Sequence, residues 1–173
     1  MEKFDFNEVD SMSISYSGPP AGGYVATIVS ATDNRDKSYL LVGLDIAEGD
    51  FANYYTNLFE KANFWGLNSY RSYKPKARGF FKAFIEAVEK SNDDFTWDWD
   101  ESALINLKVG IVIGLEDYIG NDGKTKTRPR VADFVSVLDI KDGNFNIPDH
   151  TTLDTKPSSN PGVVDATSED PPF

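Results

Sequence analysis

The run Leu107-Lys108-Val109-Gly110-Ile111-Val112-Ile113-Gly114-Leu115-Glu116-Asp117-Tyr118-Ile119 decides how this chain folds. Val109, Ile111, Val112, Ile113 and Leu115 predict one long buried strand. Glycines at positions 110 and 114 predict a bend or bulge in it, as a small closed barrel requires. Tyr118-Ile119-Gly120-Asn121-Asp122-Gly123-Lys124 then supplies a turn. Thr125 to Leu138 returns as the last strand, with Val131, Phe134, Val135 and Val137 as its apolar positions.

Working upstream, Gly22-Gly23 introduces Tyr24 to Ser30, where Val25, Thr27 and Val29 alternate with Tyr24, Ala26 and Ile28. The polar turn Asp33 to Ser38 separates this strand from a second at Tyr39 to Ile46, which predicts a hairpin. Phe51 to Ala62 places Phe51, Tyr54, Tyr55, Leu58 and Phe59 on one helical face. Phe64 to Tyr73 carries no regular pattern. The clearest helix runs from Pro75 to about Lys90, with Pro75 in its first turn and Ala77, Phe80, Phe81, Phe84, Ile85 and Val88 as a stripe predicted to face the core. Phe95 to Asp100 fits either a strand or an elaborated loop. Two hairpins, a glycine-bent strand and a helix between the halves predict a mainly β chain with inserted helices (α+β), a five-stranded oligonucleotide-binding (OB) barrel. Residues 1–141 are the expected domain. From Asp142 the composition turns to Gly, Asn, Pro, Asp, Thr and Ser, which predicts a flexible acidic tail over 142–173.

Composition narrows the function. A chain of 173 residues with 40% hydrophobic content can bury one good core. Cysteine is absent, which removes disulfides, cysteine metal sites and thiol nucleophiles. No signal-like or membrane-spanning stretch is legible, so the expected location is the cytoplasm, without a membrane partner. The formal charge of −11 would argue against a nucleic-acid partner if charge were spread evenly. It is not. Lys61 to Lys82 contains Lys61, Arg71, Lys74, Lys76, Arg78 and Lys82 and no acid, and Lys124, Lys126, Arg128 and Arg130 form a second such cluster. Those two segments hold ten of the 17 Lys and Arg residues, so positive charge is segregated and can meet a polyanion locally. Lys74, Lys76 and Arg78 crowd the N-terminal end of the predicted helix, where they oppose its dipole but favour a bound phosphate.

Unpaired nucleic acid asks for cations along its phosphates and aromatic faces for its bases. In an OB barrel the groove is lined by the loops after the first and fourth strands and the face between them. Arg35 and Lys37 would sit in the first loop, and the cluster from Lys124 to Arg130 in the last hairpin. Trp65, Tyr70 and Tyr73, interleaved with Arg71, Lys74, Lys76, Arg78 and Lys82, offer stacking faces, although the same aromatics could anchor the core. Catalysis lacks material. Gly123-Lys124-Thr125 has Tyr118 where a phosphate-binding loop needs glycine, and the single histidine, His150, falls in the tail. Asp98, Asp100 and Glu101 could approach Mg²⁺ but read as a solvated loop, so neither metal nor other cofactor is expected.

The chain ends Asp165-Ala166-Thr167-Ser168-Glu169-Asp170-Pro171-Pro172-Phe173. A terminal Phe beside acids can enter an apolar pocket while a partner cation holds its carboxylate. In this ending the chain resembles the bacterial and bacteriophage single-stranded DNA-binding proteins, whose acidic tip closes on Pro-Phe. It differs in having Pro171 where those tips usually carry an aliphatic residue. The resemblance implies an OB core that coats exposed single-stranded DNA without sequence preference. It also implies a tip of Asp165, Glu169, Asp170, Pro171, Pro172 and Phe173 that recruits replication or recombination proteins. It leaves room for a homo-oligomer, a dimer first. The competing reading from another class is an acidic phage-encoded inhibitor or DNA mimic that docks on a host nucleic-acid enzyme.

Overall fold

The computed structural model describes residues 16–153. Its centre is one antiparallel sheet of five strands: β1 (Gly22–Asn34), β2 (Tyr39–Ile46), β3 (Asn68–Ser72), β4 (Lys108–Ile119) and β5 (Thr125–Val135), in the order β3-β2-β1-β4-β5. β1 serves two neighbours. Its first half pairs with β4 from Gly22↔Ile113 to Thr27↔Lys108, and its second half pairs with β2 out to Asn34↔Tyr39. The β2 register steps from Ile28↔Leu44 to Ser30↔Gly43, so Val29 is an extra residue between them. A bulge of this kind bends a strand and sharpens its twist, which lets one strand belong to both halves of a coiled sheet.

A second irregularity falls in the β4–β5 hairpin, on the strand opposite the one whose glycines predicted it. Val112 pairs with Asp133 and Ile113 with Val131, so the additional residue is Ala132 on β5. The glycines themselves serve close approach. A Cβ at Gly110 would lie 2.6 Å from the Ser136 carbonyl oxygen, and one at Gly114 would lie 2.8 Å from the Pro148 side chain. Both admit the chain that follows β5.

Three helices complete the body: α1 (Tyr54–Ala62), α2 (Arg78–Ser91) and α3 (Val137–Asp142). α2 enters through a 3-10 turn at Pro75–Ala77, which matches the expected first-turn proline. It buries Phe81, Phe84, Ile85, Ala87 and Val88 against Ile28, Leu40, Val42, Leu44, Ile111 and Phe134. Phe80 departs from the predicted stripe and is 68% exposed, because it falls on the flank of the helix that Phe81 and Phe84 turn away from the sheet. At the start of α1 the buried Asp45 carboxylate accepts hydrogen bonds from the Tyr55 and Thr56 amides at 2.9 and 3.0 Å. It thereby satisfies donors that a helix N-terminus leaves unpaired.

The structure departs from the sequence expectations in further places. The sheet is not closed into a barrel, since β3 and β5 are its two edges and do not pair. The third strand lies at Asn68–Ser72, inside the stretch that carried no legible pattern, whereas Phe95 to Asp100 is irregular. The last strand stops at Val135, because Ser136 and Asp139 form a reciprocal capping box that starts α3. The chain also stays on the body after Asp142. Thr151 bridges to Glu116 in parallel, with its amide donating to Leu115 and its carbonyl accepting from Asp117. The expected tail beyond Leu153, with the acidic tip, lies outside the described residues. No described helix is long and apolar enough to cross a membrane.

Candidate nucleic-acid interface

Side-chain alternation divides the sheet into two faces. On β2, Leu40, Val42, Leu44 and Ile46 point into the core, which leaves Tyr39, Leu41, Gly43 and Asp45 on the outer face. Their neighbours across the ladders are Ser72, Tyr70 and Asn68 on β3 and Thr32 and Ser30 on β1. Tyr70 packs edge-on against Tyr39 with centroids 5.2 Å apart. The bare Gly43 admits the Ser30 hydroxyl, and the Trp65 indole nitrogen sits beside it, its N–H donating to the carbonyls of Leu44 and Leu67 at 3.1 and 3.0 Å. Asp45 is the one carboxylate on this face, and it is 3% exposed and bound to α1. In a chain of net charge −11, the outer face of β1, β2 and β3 is therefore polar and aromatic but free of exposed acid.

A different concavity opens at the end of the sheet where α2 begins. Tyr73, Phe81, Trp97 and Trp99 form its walls. The rings follow one another edge to face, Tyr73 to Phe81 at 6.1 Å, Phe81 to Trp97 at 6.2 Å and Trp97 to Trp99 at 5.9 Å. The larger lobe, of about 550 Å³, also touches Arg78 and Lys82, and the smaller, of about 290 Å³, touches Asp33, Arg35 and Glu101. Asp33 organises the rim. One of its oxygens accepts the Tyr73 hydroxyl at 2.8 Å and the other accepts from Arg35 at 3.1 Å. Burial, and then that bond to Asp33, push the Tyr73 hydroxyl up to about 12. The Trp97 amide donates to Glu89 on α2 at 2.9 Å, which ties the loop over the helix.

The structure divides the expected residues among several places. Tyr70 stands on the outer sheet face, Trp65 reaches it only at its ring nitrogen beside Gly43 while packing on the core and on Phe59, and Tyr73, Arg35, Arg78 and Lys82 line the cleft. Arg78 donates to the Tyr73 carbonyl at 3.1 Å, and Lys82 pairs loosely with Glu86 at 3.6 Å. Lys37 is exposed on the 3-10 turn between β1 and β2, and Lys76 on the turn before α2. Lys74 is half-buried, its amide held by the Ser72 hydroxyl. Arg71 faces inward instead, paired in register with the core residue Leu40, and burial lowers the pKa of its guanidinium. The hairpin cluster is not gathered with the cleft. Arg128 donates to Glu116 at 2.7 Å and lies over the Tyr118 ring, and Lys126 meets Asp122 at 3.5 Å. Lys124 is exposed at the turn and Arg130 half-buried beside Gly114. The hairpin register places Glu116 opposite Arg128. His150, assigned to the tail, lies 2.6 Å from the Asp117 carboxylate on β4.

Sequence reasoning left out Trp97 and Trp99. The available signal was a pair of tryptophans two positions apart directly after the best amphipathic helix, in Phe95-Thr96-Trp97-Asp98-Trp99-Asp100. Of the three acids weighed there as Mg²⁺ ligands, Asp100 caps the 3-10 turn Glu101–Leu104 through the Ser102 amide. Among the described residues no group of His, Asp or Glu is arranged to hold a metal ion. No protein-family model and no curated protein sequence matches the chain.

Proposed function

We propose that the protein binds single-stranded DNA without sequence preference and coats it where it is exposed. One observation carries this reading: Tyr39 and Tyr70 pack together on a sheet face without an exposed carboxylate, and Tyr39 directly follows the turn that bears Arg35 and Lys37 along with Asp36. Aromatic faces for bases and cations for phosphates are the two requirements of a single-strand platform. The strand order supports it as well. The order β3-β2-β1-β4-β5, with α2 between β3 and β4, is that of an OB barrel opened between β3 and β5. The acidic tip ending in Phe173 fits a docking peptide that recruits replication or recombination proteins, reached over the chain from Asp154 onward.

The test is a titration of the full chain with a single-stranded oligonucleotide and with duplex over a range of salt. Binding should favour the single strand, with a log-log salt slope of about −0.7 for each phosphate neutralised. Failure to bind at low salt would overturn the reading and leave the acidic inhibitor in its place. Loss of Phe173 alone should spare oligonucleotide affinity and abolish capture of proteins that bind the intact tip.

A further inference from the structure

Resting on that reading, we infer that the aromatic cleft is a second contact for the strand, separate from the outer sheet face. It seats an unpaired base against Trp99, with the neighbouring phosphates on Arg78 and Lys82. Three observations converge on it. Trp99 is 77% exposed, more than any other large apolar side chain described, and its backbone holds φ at +58°. A bulky residue in that left-handed region is strained by about 1–3 kcal/mol, and strain of this kind collects at binding sites. The Trp97 indole N–H, in the same wall, is buried with no acceptor among the described residues, so the wall is not a finished piece of core. The larger lobe bears Arg78 and Lys82 and no carboxylate, whereas Asp33 and Glu101 border only the smaller one. Charge therefore selects the larger lobe for the phosphates. Its volume of about 550 Å³ lies in the range that encloses one small ligand.

The cleft and the face also adjoin. On β1, Asp33 turns to the cleft while Thr32 stands on the outer face, so a single strand can pass from one to the other around the Arg35–Lys37 turn.

Equilibrium binding of a single-stranded oligothymidylate to the full chain tests this with Trp99→Ala, Trp99→Phe, Tyr70→Ala and the double variant Arg78→Gln/Lys82→Gln. Trp99→Ala should weaken binding roughly 5- to 150-fold at an unchanged salt slope, and Trp99→Phe should recover most of it, because a stacking face is restored. The double variant should flatten the salt slope by about 1.4, two phosphates' worth. Circular dichroism identifies any variant that fails to fold, and Trp99 is exposed enough for both replacements to be carried. Wild-type affinity in Trp99→Ala together with a wild-type slope in the double variant, while Tyr70→Ala still weakens binding, would overturn the cleft assignment and leave the sheet-face reading standing. Absence of binding by the unaltered chain would overturn both.

Discussion

The guanidinium of Arg71 lies over the ring of Phe134, its central carbon 5.0 Å from the ring centroid. β3 and β5 do not pair, so this contact ties together the two open edges of the sheet. Phe134 also packs edge-to-face with Phe84 of α2 at 4.7 Å. The residue expected to track phosphates is thus a stitch across the seam.

Arg71→Ala should destabilise the protein by about 1–3 kcal/mol, through the lost cation–π contact and the packing of the aliphatic stem. Urea denaturation measures this. The DNA salt slope should be unchanged in the folded variant, and flattening by about 0.7 would show that Arg71 reaches a phosphate after all.

Asp45→Asn should cost about 1–3 kcal/mol by the same measurement. The carboxylate accepts from Ile46, Tyr55 and Thr56, and an amide presents one acceptor oxygen where two are in use. Helical content should fall slightly as the first turn of α1 loosens. Unchanged stability would mean that water replaces the carboxylate at no cost.

Stability should fall at both ends of the pH scale for identifiable reasons. Tyr73 titrates at about 12 instead of 10.0, so its neutral form is favoured by folding, and that contribution is lost as pH rises from 10 to 12. Asp139 is lowered from 3.8 by the Ser136 and Asn144 side chains, so its contribution is present above that value and lost as pH falls below it. Melting temperatures across pH should show a shallower alkaline decline in Tyr73→Phe and a shallower acid decline in Asp139→Asn. Parallel curves for wild type and variants would refute the assignments.

Arg128 is engaged by Glu116 at 2.7 Å and by the Tyr118 ring at 4.7 Å. Arg128→Ala should therefore flatten the DNA salt slope by clearly less than the 0.7 of a fully available cation. Glu116→Gln, which frees the guanidinium, should steepen it. A full 0.7 loss in Arg128→Ala would show that DNA displaces Glu116 on binding.

Local periodicity and turn chemistry determined much of this protein without any structure. β1, β2, β4, β5 and α2 were legible because each writes its own pattern over eight or more residues: alternation, a buried run, or a 3.6-residue stripe opened by Pro75. The segregation of cations was equally plain. What the sequence could not reveal is set by partners far away along the chain. Asn68–Ser72 is short and polar, and it becomes a strand because the edge of β2 offers it a ladder. Arg71 turns inward because that ladder places it opposite Leu40, where its guanidinium meets the ring of Phe134. Trp97 and Trp99, written between aspartates like a solvated loop, become the wall of a cleft only when Glu89 anchors the loop across α2 and brings it to Phe81 and Tyr73. Short-range pattern decides which segments are regular. Burial, pairing and the identity of a binding surface belong to contacts between segments, which exist only once the chain has closed on itself.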